Sequence, residues 1–452
     1  MFPTDKAPFS MLWQFAANDD QLDIFSSDST ITAWLDTEAA LAQAQAKHGV
    51  ITEEDAKAIT GAAVLENMDR ERLWADAKNV GYPILGLVRQ ISEHLPEGPN
   101  GRVHYGATTQ DIMDTALALQ MTRSLDKLDA QMRRLGDALA ERAEEHKDSV
   151  MPGRTHAQQA IPTTFGATLA TLLGQVRRQR ERLAQARERV AVISLYGAGG
   201  NNAAQGETAP AVRHDMAEIL GLRDPQISWH VERDVLADFG WICATVCGTI
   251  AKFGRNIVDL SRTEVAEVFE PYNSHRGASS TMPQKVNPIS SELMIGISTV
   301  AGALSSALPR IQESGHERAA GEWQGEWFLI PTLGNLAGAA VDEAIVVAEG
   351  MRVDTERMRA NLDLDGGLIM AEAQMIQLAP ALGREKAHDL VYEACAKARE
   401  TRTHFQEELP VIAREHGKED LLPDEFVKPE HYVGEAAQMV EEAVARWRGM
   451  DA

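Results

Sequence analysis

Cysteine is nearly absent from this chain: Cys243, Cys247 and Cys395 are the only thiols in 452 residues. Three cannot all pair, and no CxxC spacing occurs, which argues against a disulfide scaffold or a zinc ribbon. Cys243 and Cys247 lie four apart in an apolar helical stretch, where small buried side chains are expected rather than a metal clip. The first residues, Met1 to Lys6, lack the basic-then-apolar order of a signal peptide. No apolar run approaches the ~20 residues needed to span a bilayer. Positive charge is also short. Against 67 Asp and Glu stand 44 Lys and Arg, for a net charge of −23. That balance argues against nucleic acid or an anionic membrane surface as a partner. It leaves room for an anionic metabolite, provided the site gathers its own Arg and Lys. Together these absences point to the reducing cytoplasm.

Strand-type alternation of useful length is missing too, so the expected fold is all-α. Residues 30–48, 52–68 and 84–94 read as amphipathic helices, with Thr52, Glu54 and Asp55 opening the second. In the middle of the chain Leu125, Leu128, Met132, Leu135 and Leu139 recur at spacings of three and four. Leu169, Leu173, Val176, Leu183, Ala186 and Val190 nearly repeat that pattern, as do Phe239, Ile242, Val246, Ile250, Phe253, Ile257 and Leu260. Residues 289–312 and 328–350 are also helical. Stripes this long predict a bundle of long helices whose apolar residues are core. Shorter helices follow at 357–362, 367–379, 384–400, 405–415 and 433–448. At the usual ~150 residues per domain the length allows three. The pattern places them at 1–110, 111–351 (the long helices) and 352–452.

The most distinctive stretch is GASSTMPQKVNP at 277–288, between two long helical patterns. It contains almost nothing that a core would take. Gly277 allows a mobile backbone, Pro283 stiffens the far half, and Pro288 suits the first turn of a new helix. Four further stretches carry more polar detail than packing needs. HYGATTQD at 104–111 puts Thr108, Thr109 and Asp111 ahead of a long helix, where capping explains them at least as well as function does. GRTHAQQAIPTT at 153–164 gathers Arg154, Thr155, His156 and Gln158 in what reads as a helix-entry loop. Glu232-Arg233-Asp234 has a surface ion pair as its plain explanation. His316-Glu317-Arg318 precedes Trp323 and Trp327, whose packing is the competing reading.

Taken in order, these stretches resemble the fumarase/aspartase superfamily, whose loop is written SSxMPxKxNP, and the resemblance covers essentially the whole chain. Within it the chain is similar to bacterial 3-carboxy-cis,cis-muconate cycloisomerases, on the stretches 103–115, 252–271, 316–327 and 347–384. One position departs. Those cycloisomerases carry Trp where this chain has His156, and histidine there is the pattern of adenylosuccinate lyase and similar C–N lyases. Conversely, residues 79–83 lack a histidine that adenylosuccinate lyases have.

The resemblance implies an elimination, or its reverse, next to a carboxylate of a small di- or tricarboxylate, through an aci-carboxylate intermediate. It makes Ser279 the base and Ser280 a supporting hydroxyl. Lys285 and Asn287 would stabilise the developing charge, and Met282 belongs to the same loop. His156 is the expected acid. Arg154, Arg233 and Arg318 are expected at substrate carboxylates, with Thr108, Thr109, Thr155 and Gln158 as neutral contacts. No metal or organic cofactor is implied. A homotetramer with active sites shared between subunits is. Two activities stay open, cycloisomerase and a C–N lyase releasing fumarate from an N-substituted aspartate. A catalytically silent relative would have no reason to retain Ser279, Lys285, Asn287 and His156 together.

Overall fold

In the computed structural model residues 10–96 and 102–450 are described. Helix dominates them, and the longest helices fall on the apolar stripes. They run Thr109–Glu145, Phe165–Val190, Asp234–Leu260, Ile289–Ser305 and Glu322–Gly350. Leu125, Leu128, Met132, Leu135 and Leu139 are each at most 1 % exposed. Burying one such side chain contributes roughly 1.5–3 kcal/mol. Glycine and proline aside, a residue's helix propensity differs from alanine's by at most about 0.7 kcal/mol, so packing decides these helices.

The shorter elements follow their local signals. Thr52 and Asp55 form a reciprocal capping box that starts the Glu53–Ala62 helix. That helix ends earlier than the pattern to residue 68 predicts, and Leu65–Asn67 forms a separate 3-10 turn. Near the C-terminus the helices are Thr355–Asn361, Ala371–Leu382, Arg384–Thr401, Phe405–Glu415 and Ala436–Arg448.

The chain divides into two compact units, each drawn from three separated segments. The first comprises Met1–Met132, Gln179–Ala251 and Leu293–Asp342; the second comprises Arg133–Arg178, Lys252–Glu292 and Glu343–Ala452. Leu35, Leu41, Ile59, Leu87, Ile112, Ile193 and Val212 are among the residues of one continuous core in the first unit. In the second unit, Leu378, Val391, Phe405, Leu409 and Ile412 belong to one cluster, and Leu362, Ile369 and Met370 to a smaller one.

Two expectations are corrected. The stretch read as a helix-entry loop is a β-hairpin, Val150–Thr155 paired antiparallel with Gln158–Thr164. Its prolines, Pro152 and Pro162, face each other, and the register shifts around Gly153. A Cβ on Gly153 would meet the Ile161 carbonyl oxygen at 2.8 Å, so glycine is needed where the strands crowd. Proline and glycine inside a strand are what hid it from a periodicity reading. The second correction concerns apolar length. Three helices are long and apolar enough to cross a membrane by length and composition, Asp234–Leu260, Ile289–Ile311 and Glu322–Gly350. Interleaved Gly, Ala, Ser and Thr break any unbroken run of large apolar residues while adding almost no charge. Of their apolar windows 61 %, 28 % and 72 % respectively are buried within the chain.

Candidate functional site

The 277–288 loop lies in the second unit and folds back on itself. Ala278 and Val286 form an isolated antiparallel bridge, Asn287 N–H donates to Gly277 O at 2.8 Å, and Ser279 N–H donates to Lys285 O at 3.3 Å. Gly277 has φ of 67°, and a Cβ there would lie 2.3 Å from the Asn287 oxygen. Only glycine closes this loop. Ser279 Oγ accepts two backbone N–H groups, from Thr281 at 3.2 Å and Met282 at 3.0 Å. Such a turn is a common way for serine to order its own loop. Chemically, two donors on one hydroxyl oxygen also stabilise that oxygen when it carries negative charge. Ser280, Met282 and Lys285 are exposed, while Ser279 and Asn287 are half-buried. No acidic group among the described residues pairs with Lys285. The loop's exit is pinned: Glu270 accepts the N–H groups of Ser290 and Ser291, at 3.3 and 2.7 Å, and the Ser291 hydroxyl at 2.8 Å. A carboxylate on the first N–H groups of the Ile289–Ser305 helix suits that helix's positive end.

The hairpin is in the same unit. His156 and Ala157 form its two-residue tip with φ of 51° and 61°. A two-residue turn with both φ positive normally takes Asn-Gly. Holding His and Ala there costs of the order of 1–2 kcal/mol per residue. Thr155, His156 and Gln158 are exposed at this tip, and Gln158 only donates to the neighbouring Ala157 carbonyl. Arg154 departs from expectation. Its two terminal nitrogens reach both oxygens of the buried Glu267, at 2.9 and 2.6 Å. Glu267 also accepts from Asn361 Nδ2, and Gln159 Nε2 donates to Asn361 O. Arg154 therefore fastens the hairpin base, and its paired donors are already taken.

In the first unit Thr108 and Asp111 start the Thr109–Glu145 helix, as a capping reading anticipates. Asp111 is fully buried and accepts N–H groups from Thr108, Tyr196 and Gly197, and lies 2.9 Å from His230 Nε2. Burial raises its carboxyl pKa, but His230 and the backbone donors more than offset this and hold it below the usual value. Thr109 is half-buried.

Arg233 is neither a surface ion pair nor open to substrate. It is 1 % exposed and bridges two carboxylates, with NH1 at 2.8 Å from Asp114 and NH2 at 2.6 Å from Glu326. Breaking a buried pair costs roughly 3–5 kcal/mol, more than the roughly 1.5–3 kcal/mol of a new charged hydrogen bond. Its expected carboxylate-binding role is set aside. Burial and Asp114 push the Glu326 carboxyl up to about 7, against the opposing pull of Arg233.

Arg318 is different. Its partners are neutral oxygens: Gln110 Oε1 at 3.1 Å, Thr108 Oγ1 at 3.2 Å and Ala198 O at 3.4 Å. It lines a cavity of about 580 Å³ with Ala198, Gly199, Asn201, His316 and Glu317, all within the first unit. Of the three arginines singled out, only Arg318 combines an unmatched charge with open space. The tryptophans beyond it pack as the plain reading has it, Tyr82 stacking on Trp323 at 5.4 Å and Trp323 meeting Trp327 edge-on at 5.5 Å. Among the described residues no group of His, Cys, Asp or Glu is arranged to hold a metal ion. Sequence reasoning missed Gln110, Asp114, His230 and Glu267. Apart from the Gln110–Asp114 contact one turn along the helix, their partners are distant in sequence, so no local pattern assigns them a role.

The family model described as "Lyase" matches residues 14–302, and that of the adenylosuccinate lyase C-terminus matches 367–443. A 3-carboxy-cis,cis-muconate cycloisomerase of Pseudomonas aeruginosa is 41 % identical, over 93 % of this chain and 93 % of that protein. An N-acetyl-S-(2-succino)cysteine lyase of Dickeya dadantii is 35 % identical, over 93 % of each. The crystal structure of 3-carboxy-cis,cis-muconate lactonizing enzyme from Pseudomonas putida matches with a TM-score of 0.90 at 38 % identity, over 98 % of this chain and 100 % of that one. With an all-α fold, the serine-bearing loop and relatives of this similarity along nearly its whole length, the chain belongs to the lyase family of the fumarase/aspartase superfamily, as a lyase or cycloisomerase.

Proposed function

We propose that this protein interconverts a small polycarboxylate by elimination and addition next to a carboxylate, with 3-carboxy-cis,cis-muconate as the leading substrate. The observation that carries the reading is Ser279, whose oxygen already accepts two N–H donors within the loop. A free hydroxyl is barely ionised at neutral pH and needs such activation before it removes a proton. In the lactone-opening direction Ser279 takes the proton alpha to a carboxylate. The electron pair moves into an aci-carboxylate, and the C–O bond on the neighbouring carbon then breaks. Lactone formation is the reverse. Lys285 and Asn287 oppose the intermediate's second negative charge, with Ser280 and Met282 completing the loop. Arg318 takes a substrate carboxylate, with Thr108 and Thr109 beside it. Thr155 and Gln158 flank His156 at the hairpin tip and serve as neutral contacts. Arg154 acts by fixing that hairpin.

His156 supports a second reading, β-elimination of an amine from an N-substituted aspartate. A carboxylate leaves unprotonated, because its conjugate acid has a pKa of about 4; an amine, at about 10, needs a proton as it departs. The cycloisomerase reaction gives His156 no such task, whereas the C–N lyase reaction does. Following ultraviolet absorbance separates them. Loss of 3-carboxymuconate, with His156→Asn retaining activity within about tenfold, supports the leading reading. Fumarate from aminated succinates, with His156→Asn slower by about 10²–10⁴-fold, supports the second.

The remaining features follow the superfamily: a cytoplasmic homotetramer, active sites shared between subunits, and no resident cofactor. The weakly buried apolar window of Ile289–Ile311 supports burial against other subunits.

A further inference from the structure

Gln110 is 1 % exposed and stands one turn before Asp114 on the Thr109–Glu145 helix. A carboxamide has a donating and an accepting end, and its surroundings settle which way it faces. Its Nε2 donates to Asp114 Oδ2 at 3.1 Å and to the His230 carbonyl at 2.7 Å, which uses both N–H bonds. Its Oε1 accepts from Arg318 Nε at 3.1 Å. Turned over, the oxygen would face two acceptors and the NH₂ would face a guanidinium. All three contacts would then be repulsive. Asp114 is itself held by both terminal nitrogens of Arg233, at 2.8 and 3.1 Å, with Glu326 on the far side of that guanidinium. The other oxygens around Arg318 are fixed in the same way, because Asp111 binds the N–H of Thr108 and of Gly197, next to Ala198.

We propose that Gln110 is a positioning residue for carboxylate recognition: locked by Asp114 and the His230 carbonyl, it presents only oxygen to Arg318, and so aims that guanidinium without neutralising it. Behind Gln110 the buried carboxyl groups are Asp111, Asp114 and Glu326, and Glu317 lines the cavity itself without pairing with Arg318. The inference rests on Arg318 taking a substrate carboxylate.

The test is titration of fumarate and of 3-carboxymuconate into the full chain, with kcat and KM on the substrate turned over. The variants are Gln110→Glu, Gln110→Met and Arg318→Gln. Gln110→Glu, which sets a carboxylate against Arg318, is expected to weaken binding about tenfold or more. Gln110→Met, which removes the acceptor together with the donations to Asp114 and the His230 carbonyl but adds no charge, should raise KM about threefold with kcat within about twofold. Arg318→Gln should weaken binding at least as much as Gln110→Glu. If Arg318→Gln binds as wild type does, the reading of Arg318 fails and takes the inference with it. If Arg318→Gln weakens binding while Gln110→Glu and Gln110→Met do not, or weaken it equally, the positioning role alone is overturned. A purely structural role would lower stability and kcat together and leave the two substitutions indistinguishable in KM. Should Gln110→Glu not fold, Gln110→Met decides, and an unchanged KM overturns the proposal.

Discussion

Arg154, Arg233 and Arg318 look alike in a sequence, and their surroundings separate them. Glu267 takes the first, Asp114 and Glu326 enclose the second, and neutral oxygens hold the third. The enclosed triad carries a consequence for stability. An acid whose pKa rises on folding, as burial and Asp114 raise that of Glu326 to about 7 from 4.5, binds its proton more tightly in the native state. Its contribution is fully present below about pH 4.5 and is lost as pH rises through about 7. Relative to Glu326→Gln, wild-type stability should therefore fall between about pH 4.5 and 7, measured as urea midpoints across that range. Parallel curves for the two proteins would show that Glu326 is ionised throughout. None of this was legible from local sequence. Arg233 meets partners 119 and 93 residues away, and Glu232-Arg233-Asp234 by itself looks like a solvated charge cluster.

Among the elements, the long helices were the most legible, because a stripe such as Leu125 to Leu139 leaves one face that has to be covered. The hairpin was the least legible. Pro152, Gly153 and Pro162 argue against a strand, and His156 and Ala157 occupy a two-residue turn that normally takes Asn-Gly. Backbone strain held at an exposed histidine tip is the kind of cost retained for a function. The 277–288 loop lies between these cases. Its residues were recognisable, but the closure of Asn287 onto Gly277 was not. Gly277→Ala places a methyl group against the Asn287 oxygen and demands a positive φ, a strain of roughly 1–2 kcal/mol before the clash is counted. The expected outcome is at least about a tenfold loss of turnover with a thermal midpoint within a few degrees of wild type, since the loop is largely exposed. Wild-type turnover would mean that the closure is dispensable.

At the scale of the whole molecule, the all-α fold followed from periodicity, whereas the long apolar helices did not register as unbroken runs. Ile289–Ile311 has only 28 % of its apolar window buried within the chain. Leaving that face in water is unfavourable at about 25 cal/mol per Å². That exposure favours association, and the proposed homotetramer predicts four times the chain mass by light scattering on the purified protein; the mass of a single chain would remove the basis for shared active sites. In the proposed mechanism the Ser279 loop performs the proton transfer. That role is tested most directly by mixing 3-carboxy-cis,cis-muconate with wild type and with Ser279→Ala and following the diene absorbance. Wild type should consume the diene steadily, and Ser279→Ala should do so about 10²–10⁴-fold more slowly with its fold unchanged. A Ser279→Ala protein keeping more than about a tenth of wild-type turnover would contradict that role.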